Sequence, residues 1–148
     1  MKLEKLPLET AGLCGFTHKV KLTHEDLTQA TANTAQTIAL LSVGAGAYVC
    51  DCAMHLVTPF EDASDAAFNT TAVVIGDDGS TNRFLTSTEL NKNGTEVIWK
   101  GTALTAPYVY TAANTIDIVF SSMAAKALAD IDVGELDIFL NVVELSQV

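Results

Sequence analysis

Charged residues are scarce in this chain of 148 residues, and their scarcity bears on how the surface is used. They make up 18% of the sequence, against about a quarter in a usual soluble domain, while 49% of the residues are hydrophobic. A small domain with few charges and many Ala, Thr and Val residues is typical of a subunit that hides part of its surface in an oligomer. The length predicts one domain that buries about two thirds of its unfolded surface.

Basic residues are fewer still, eight against eighteen acidic ones, and they are unevenly placed. Residues 1–24 contain four lysines and two glutamates, a net charge of +2, whereas residues 25–148 carry a net charge of −12. Because an acidic body repels phosphate backbones, the composition argues against a nucleic-acid partner. The four lysines near the start either contact an acidic partner surface or only keep the segment soluble: Lys2, Lys5, Lys19 and Lys21.

Cysteine is limited to three residues, an odd number, and no Cys-x-x-Cys pair occurs. Cys50 and Cys52 lie two positions apart in a predicted strand, where same-face neighbours have poor geometry for a disulfide. Together with Cys14 they are interpreted as reduced, buried thiols of a protein made in a cytosol.

Long hydrophobic runs are absent as well. Charged residues and a proline interrupt the first fifteen residues, which argues against the apolar region of a signal peptide: Lys2, Glu4, Lys5, Pro7 and Glu9. No run of roughly 18 apolar residues occurs, so no membrane-spanning segment is expected. The sequence therefore predicts neither an export signal nor a membrane partner.

The most informative positive feature is the period-two pattern of residues 134–145. Four apolar residues share one face of the predicted strand: Leu136, Ile138, Leu140 and Val142. Polar residues share the other face with Phe139 and Val143. Such alternation is the mark of a half-buried strand, and we expect this one to be central in its sheet. The two apolar residues on the polar face predict a subunit contact.

The same alternation predicts about eight strands, at residues 16–23, 34–43, 47–57, 70–76, 95–101, 107–111, 115–121 and 134–145. Pro59 is expected to end the third strand because proline cannot donate to a ladder. Residues 83–85 are expected to begin only a short element, and 24–33 and 122–132 to be loops or helical turns. The pattern predicts an all-β fold, a jelly-roll-like two-sheet antiparallel sandwich. Residues 1–15 would be an N-terminal arm or irregular segment, and residues 16–148 a single β-sandwich domain.

The residues of one strand have the chemistry of a zinc site or a cysteine nucleophile: Cys50, Asp51, Cys52 and His55. On a strand, however, the two cysteines face away from Asp51 and His55. They can therefore neither share a metal ion with them nor use His55 as a base. This segment is interpreted as an ordinary half-buried strand.

The acidic stretch that begins Asp77-Asp78-Gly79 resembles half of a calcium loop. It lacks the spacing of an EF-hand, so we interpret it as a turn and leave open whether a cation binds there. No pair of carboxylates stands out as a catalytic pair. The sequence therefore predicts no enzyme activity, no cofactor and no metal site.

Five pieces of the sequence resemble small structural proteins of tailed bacteriophages: Gly46-Ala-Tyr-Val-Cys-Asp, Leu56-Val-Thr-Pro-Phe, Val74-Ile-Gly-Asp-Asp-Gly-Ser-Thr-Asn-Arg-Phe-Leu, Tyr108-Val-Tyr-Thr-Ala-Ala-Asn-Thr-Ile-Asp-Ile and Gly134-Glu-Leu-Asp-Ile-Phe-Leu. The resemblance, over residues 34–146, is to β-sandwich virion proteins that decorate or cement capsids, often as trimers. It implies a non-enzymatic decoration protein on the capsid surface, made in the host cytoplasm. Its partners would be the major capsid protein and further copies of itself, with a homotrimer favoured.

Two other functions fit the same sandwich. One is a tail, neck or fibre component of a phage. The other is a carbohydrate-binding module that uses Trp99, Tyr108 and Tyr110 on exposed loops, although a lone tryptophan more often belongs to a core or an interface.

Overall fold

The computed structural model describes residues 1–5, 15–65, 71–91, 98–101 and 107–145, with the backbone alone for 98–101. These residues form ten strands: β1 (Lys2–Lys5), β2 (His18–Thr23), β3 (Gln36–Val43), β4 (Ala47–Glu61), β5 (Ala72–Asp77), β6 (Ser80–Glu89), β7 (Ile98–Gly101), β8 (Tyr108–Val109), β9 (Asn114–Phe120) and β10 (Val133–Glu144). Two short 3-10 turns, His24–Asp26 and Leu128–Asp130, lie where the sequence predicted loops or helical turns. Within this described part of the chain, no helix is long and apolar enough to span a bilayer.

The strands form two antiparallel sheets that pack face to face. Sheet A has the order β1-β2-β10-β4-β7, and β8 pairs with Tyr48 and Val49 near the start of β4. Sheet B has the order β3-β9-β5-β6. The chain crosses between the sheets after β2, β3, β4, β6, β8 and β9, which is the strand arrangement of a jelly roll. The predicted all-β, jelly-roll-like two-sheet sandwich is confirmed.

Strand β10 is central in sheet A, as the alternation of its sequence predicted. It pairs with β2 on one side and with β4 on the other. Its inward side chains are at most 6% exposed: Leu136, Ile138, Leu140 and Val142. Burying each such side chain contributes about 1.5–3 kcal/mol, so the inward face of β10 anchors the sheet to the core.

Aromatic rings fill the core near the N-terminal end of β10. Phe60 and Phe120 are fully buried, and their ring centroids are 5.6 Å apart. Gly134 lies directly against Phe60, and a Cβ atom at Gly134 would stand 2.5 Å from the ring carbons. Packing therefore requires glycine at this position.

Strand β4 is longer than the sequence predicted, because it continues past Pro59 to Glu61. Pro59 is tolerated since the pairing between β4 and β10 shifts register here, and a bulge does not need the missing donor. The next residue, Phe60, donates its backbone N–H to the carbonyl of Leu90. The expectation that Pro59 ends the strand is wrong.

Strand β1 was absent from the sequence-based prediction, and strand β6 was expected only as a short element. Strand β1 pairs antiparallel with β2, where an arm or irregular start was expected, and its residues are too highly charged to show alternation. Strand β6 spans ten residues where a short element was expected. Phe84 and Leu85 are consecutive residues of β6, and both are buried because register shifts against β5 interrupt the period-two pattern.

Candidate interaction surface

The outward side of sheet A collects most of the residues that the sequence singled out. Because side chains alternate across a strand, every second residue of β1, β2 and β10 points away from the core. In this ladder, Lys21 lies opposite Asp137, and Lys19 lies opposite Phe139. We call these outward residues the charged face: Lys2, Glu4, Lys19, Lys21, Glu135, Asp137 and Phe139.

Lysines and carboxylates of the charged face form ion pairs between neighbouring strands. The Nζ atom of Lys19 is 2.7 Å from Oδ2 of Asp137, and that of Lys21 is 2.7 Å from Oε1 of Glu135. The hydrogen bond to Glu135 raises the pKa of Lys21. The partly exposed pair of Lys21 with Glu135 contributes about 0–1 kcal/mol, so it orders the side chains more than it stabilises the fold.

Lys5 is separated from the other three lysines. It lies on the opposite side of β1 from Lys2, which pairs with Glu4, and it is opposite His18 on β2. Lys5 and His18 line a cleft of about 380 Å³ together with Glu144. Burial lowers the pKa of His18, and the positive charge of Lys5 lowers it further. The structure thus groups three of the four predicted lysines on the charged face and places Lys5 elsewhere.

Phe139 forms an aromatic centre beside the charges. It is half-buried, its ring centroid is 5.7 Å from that of Phe16, and the Nζ atom of Lys19 lies 5.5 Å from its ring centre. A lysine over a ring face gains about 0.5–1 kcal/mol at an exposed site. The Phe139 ring therefore contacts a charged side chain, Lys19, as well as the apolar ring of Phe16.

Val143 belongs to a second apolar area, at the C-terminal end of β10. It is 39% exposed and lies opposite Tyr48 of β4. Tyr48 lies in turn opposite Val109 of β8, which is 37% exposed. These three residues form an uncharged row across three neighbouring strands, on the same side of the sheet as Phe139.

One carboxylate oxygen of the charged face lacks a hydrogen-bond partner. Asp137 is 8% exposed, and its Oδ2 atom pairs with Lys19. Its Oδ1 atom is buried and accepts no hydrogen bond from the described residues. A buried acceptor without a partner costs about 1–3 kcal/mol. A donor that reached this atom would therefore be stabilising.

The outward side of sheet B carries fewer charges than the charged face, with Glu89 of β6 opposite Ala72 of β5. Two rows of residues cross β3, β9 and β5 in register, one of Thr37, Val119 and Val74 and the other of Ala39, Asp117 and Gly76. Asp117 is the one charged residue in these rows, and it is 9% exposed. The two outward sides of the sandwich therefore differ, since sheet A presents the charged face and these two rows of sheet B are neutral apart from Asp117.

The turn that begins at Asp77 is held together by an arginine. Oδ1 of Asp77 accepts the backbone N–H groups of Gly79 and Ser80 at 2.9 Å each. Arg83 donates to Oδ2 from Nε at 2.7 Å and to Oδ1 from Nη2 at 3.1 Å, and Tyr110 donates its hydroxyl to Oδ2 at 3.0 Å. Burial by itself raises the pKa of Asp77, but these hydrogen bonds outweigh it and hold the pKa below its usual range. The carboxylate of Asp77, for which the sequence left cation binding open, thus accepts its hydrogen bonds from groups of the protein.

The two tyrosines of the predicted sugar-binding module belong to this cluster. The guanidinium carbon of Arg83 is 3.9 Å from the ring centre of Tyr108, which meets Tyr110 edge to face at 5.0 Å. Tyr110 is 3% exposed, and burial raises its pKa. The expectation that Tyr110 stands on an exposed loop is wrong. The side chain of Trp99 lies outside the described residues.

The two central cysteines are free thiols in different surroundings. Cys52 is fully buried, and burial raises its pKa to about 12, so the thiol is protonated at neutral pH. Cys50 is half-buried, because a register shift between β4 and β10 breaks the alternation there. The expectation of two buried thiols on one face is wrong for Cys50, and Cys14 lies outside the described residues. Among the described residues, no three metal-ligating side chains come together.

Comparison with known proteins relates the chain to phage capsids by fold. No family model matches the sequence, and no curated protein matches it. A chain of the cyanophage Pam1 capsid asymmetric unit is similar, with a TM-score of 0.56 and 16% identity over 84% of this chain and 78% of that chain. A chain of the acidic stable capsid structure of Helicobacter pylori bacteriophage KHP30 is also similar, with a TM-score of 0.51 and 14% identity over 84% of this chain and 83% of that chain. At such identities the likeness shows a shared fold.

Proposed function

We propose that this protein is a non-enzymatic structural component of a phage virion and that it decorates or cements the capsid surface. The observation that carries the proposal is the fold shared, over 84% of this chain, with chains of two phage capsid structures. The shared part makes up 78% and 83% of those chains, so all three chains have similar lengths. The likeness is therefore to whole subunits of this size, which suits a small accessory protein.

A cementing protein acts by binding the assembled shell more tightly than its free subunits, so that mass action favours the assembled state. It needs a rigid body and enough contact surface at subunit boundaries, and it needs no catalytic group. The described sandwich offers two different surfaces for this purpose. We assign the sparsely charged side of sheet B to contacts within a homotrimer, and the start of the chain, with Lys2 and Lys5, to the major capsid protein.

Binding to shells tests the function directly. Capsids that lack this protein would be mixed with increasing amounts of it and sedimented, and the bound fraction would be measured by gel densitometry. A decoration protein saturates at a fixed number of copies per capsid and raises the temperature at which the shell opens. Failure to sediment with shells, together with recovery in purified tails, would instead support a tail, neck or fibre component.

The attachment segment is tested separately. Deleting residues 1–15 removes strand β1 as well as its charges, whereas Lys2→Ala combined with Lys5→Ala keeps the strand and removes two charges. Both variants are expected to bind shells more weakly than the unchanged protein, because electrostatic attraction supplies part of the contact. Unchanged binding by both would contradict this role for the start of the chain.

A further inference from the structure

We propose that the charged face of sheet A also pairs two copies of this chain, around a two-fold axis that runs parallel to the strands between β2 and β10. The residues at its centre are Lys19, Lys21, Asp137 and Phe139. A two-fold contact uses the same patch on both copies, so it is distinct from the interface of a trimer, which joins two different patches. This inference does not depend on capsid binding.

The register of the strands carries the proposal. Lys21 lies directly opposite Asp137, and Lys19 lies directly opposite Phe139, each pair formed across β2 and β10. A half-turn about the proposed axis keeps every residue at its height along the strands and exchanges the two columns. Each Lys21 then lies over the partner's Asp137, and each Lys19 over the partner's Phe139. Two sheets packed in this way have aligned strands, which is one of the two favoured arrangements for sheet packing.

The chemistry of the exchanged columns is complementary in both rows. Lys21 meets a carboxylate in the partner, and Lys19 meets the face of an aromatic ring. No two like charges of these rows face each other. The Lys19 and Lys21 side chains are 30% and 42% exposed, so a second copy can reach both of them.

Asp137 supplies a reason for the contact to form. Asp137 is more than nine-tenths buried, and its Oδ1 atom has no hydrogen-bond donor among the described residues. Only Oδ2 is paired, with Lys19. In the pair, the partner's Lys21 lies over this carboxylate and provides the donor that Oδ1 lacks, while Lys19 keeps its ion pair with Oδ2.

Charge balance favours a second copy of this chain as the occupant. The whole chain carries a net charge of −10, so two copies repel each other at most orientations. The charged face is an exception, because it contains three lysines and three acids: Lys2, Lys19, Lys21, Glu4, Glu135 and Asp137. Two copies that meet here bring no net charge together, and the Phe16 and Phe139 rings add apolar area near the axis.

The test uses charge exchange between copies. Lys21→Glu and Asp137→Lys would be purified separately, and their masses measured by analytical ultracentrifugation at low ionic strength beside the unchanged protein. Each variant places like charges across the proposed axis, so we expect its mass to be half that of the unchanged protein, with a dissociation constant at least about tenfold higher. An equimolar mixture of the two variants should regain the full mass, because both cross-axis pairs are then of opposite charge.

Matched variants separate this contact from loss of folding. Lys126→Glu breaks the ion pair with Asp65 at a distant loop and should leave the mass unchanged. Lys21→Gln removes the charge without creating an acidic cluster, and it too should weaken pairing if Lys21→Glu fails to fold. The inference is overturned if folded Lys21→Glu or Lys21→Gln keeps the mass of the unchanged protein. It is equally overturned if the mixture of opposite variants stays at the mass of its components.

Discussion

Arg83 and Asp77 form a two-point ion pair across the β5–β6 turn, with Nε 2.7 Å from Oδ2 and Nη2 3.1 Å from Oδ1. The side chain of Asp77 is 1% exposed, and that of Arg83 is 24% exposed. The same carboxylate receives the hydroxyl of Tyr110, which lies 33 positions further along the chain. Through this hydrogen bond, Asp77 joins the β5–β6 hairpin of sheet B to the segment that follows β8 in sheet A.

Removing the charge of Asp77 is expected to destabilise the fold. Asp77→Asn leaves Arg83 without its counter-charge, and breaking a buried pair in this way costs about 3–5 kcal/mol, with the lower end expected because Arg83 is partly exposed. The free energy of unfolding would be measured by urea denaturation at neutral pH. Asp78→Asn, at the exposed neighbouring position, is the matched control and should cost less than about 0.5 kcal/mol. Equal stability of the two variants would contradict this role for Asp77.

Lowering the pH is expected to remove the contribution of the Asp77 carboxylate to the free energy of unfolding. The folded pKa of Asp77 is lower than the ordinary value, so its contribution is present above the unfolded pKa of about 3.9 and is lost as pH falls through the folded pKa. The difference in unfolding free energy between the unchanged protein and Asp77→Asn should thus be constant above about pH 5 and shrink below about pH 4. Urea titrations at a series of pH values measure it. A difference that persists undiminished to pH 2, or grows with acid, would show that the pKa is not lowered.

Alanine at position 134 is expected to disturb the core. The added Cβ atom would stand 2.5 Å from the Phe60 ring, which must then move within a packed interior. Overpacking of this kind costs about 1–3 kcal/mol. Gly44→Ala is the control, since the nearest atom to its Cβ would be a flexible Glu144 oxygen at 3.5 Å. Thermal unfolding should separate the two variants, and adding Phe60→Leu to Gly134→Ala should cost less than the sum of the single changes.

Thiol labelling is expected to distinguish Cys50 from Cys52. Cys52 is fully buried with a pKa of about 12, so it should react with a thiol reagent at pH 8 only when the protein unfolds. Cys50 is half-buried and should react faster in the native state. The labelling rates would be followed by mass spectrometry in a Cys14→Ser background. Native-state labelling of Cys52 at the rate of Cys50 would contradict its burial.

Local alternation carried the sequence-based prediction where one side of a strand faces the core without interruption. It identified β10 through Leu136, Ile138 and Leu140, which are fully buried as expected. It failed where register shifts occur, as at Cys50 and Pro59 in β4, since a bulge reverses the inward and outward positions that follow it. A bulge depends on the partner strand, which a single sequence does not reveal.

The candidate surface was only partly predictable for a related reason. Lys19, Lys21 and Phe139 were singled out by charge and by an apolar residue on a polar face. Their grouping, however, depends on the pairing of β2 with β10, which are far apart in the sequence. The contact of Tyr110 with Asp77 left no local spacing signal, because the two residues are 33 positions apart in the sequence.

Cryo-electron microscopy of phage particles that copurify with this protein tests the proposed role of this jelly-roll chain as a decoration or cement protein of the capsid. In that role the sandwich gives density on the outer capsid surface, repeated at fixed sites over boundaries between major capsid protein subunits. Density for this chain confined to the tail, neck or fibres, with none on the capsid surface, would contradict the claim.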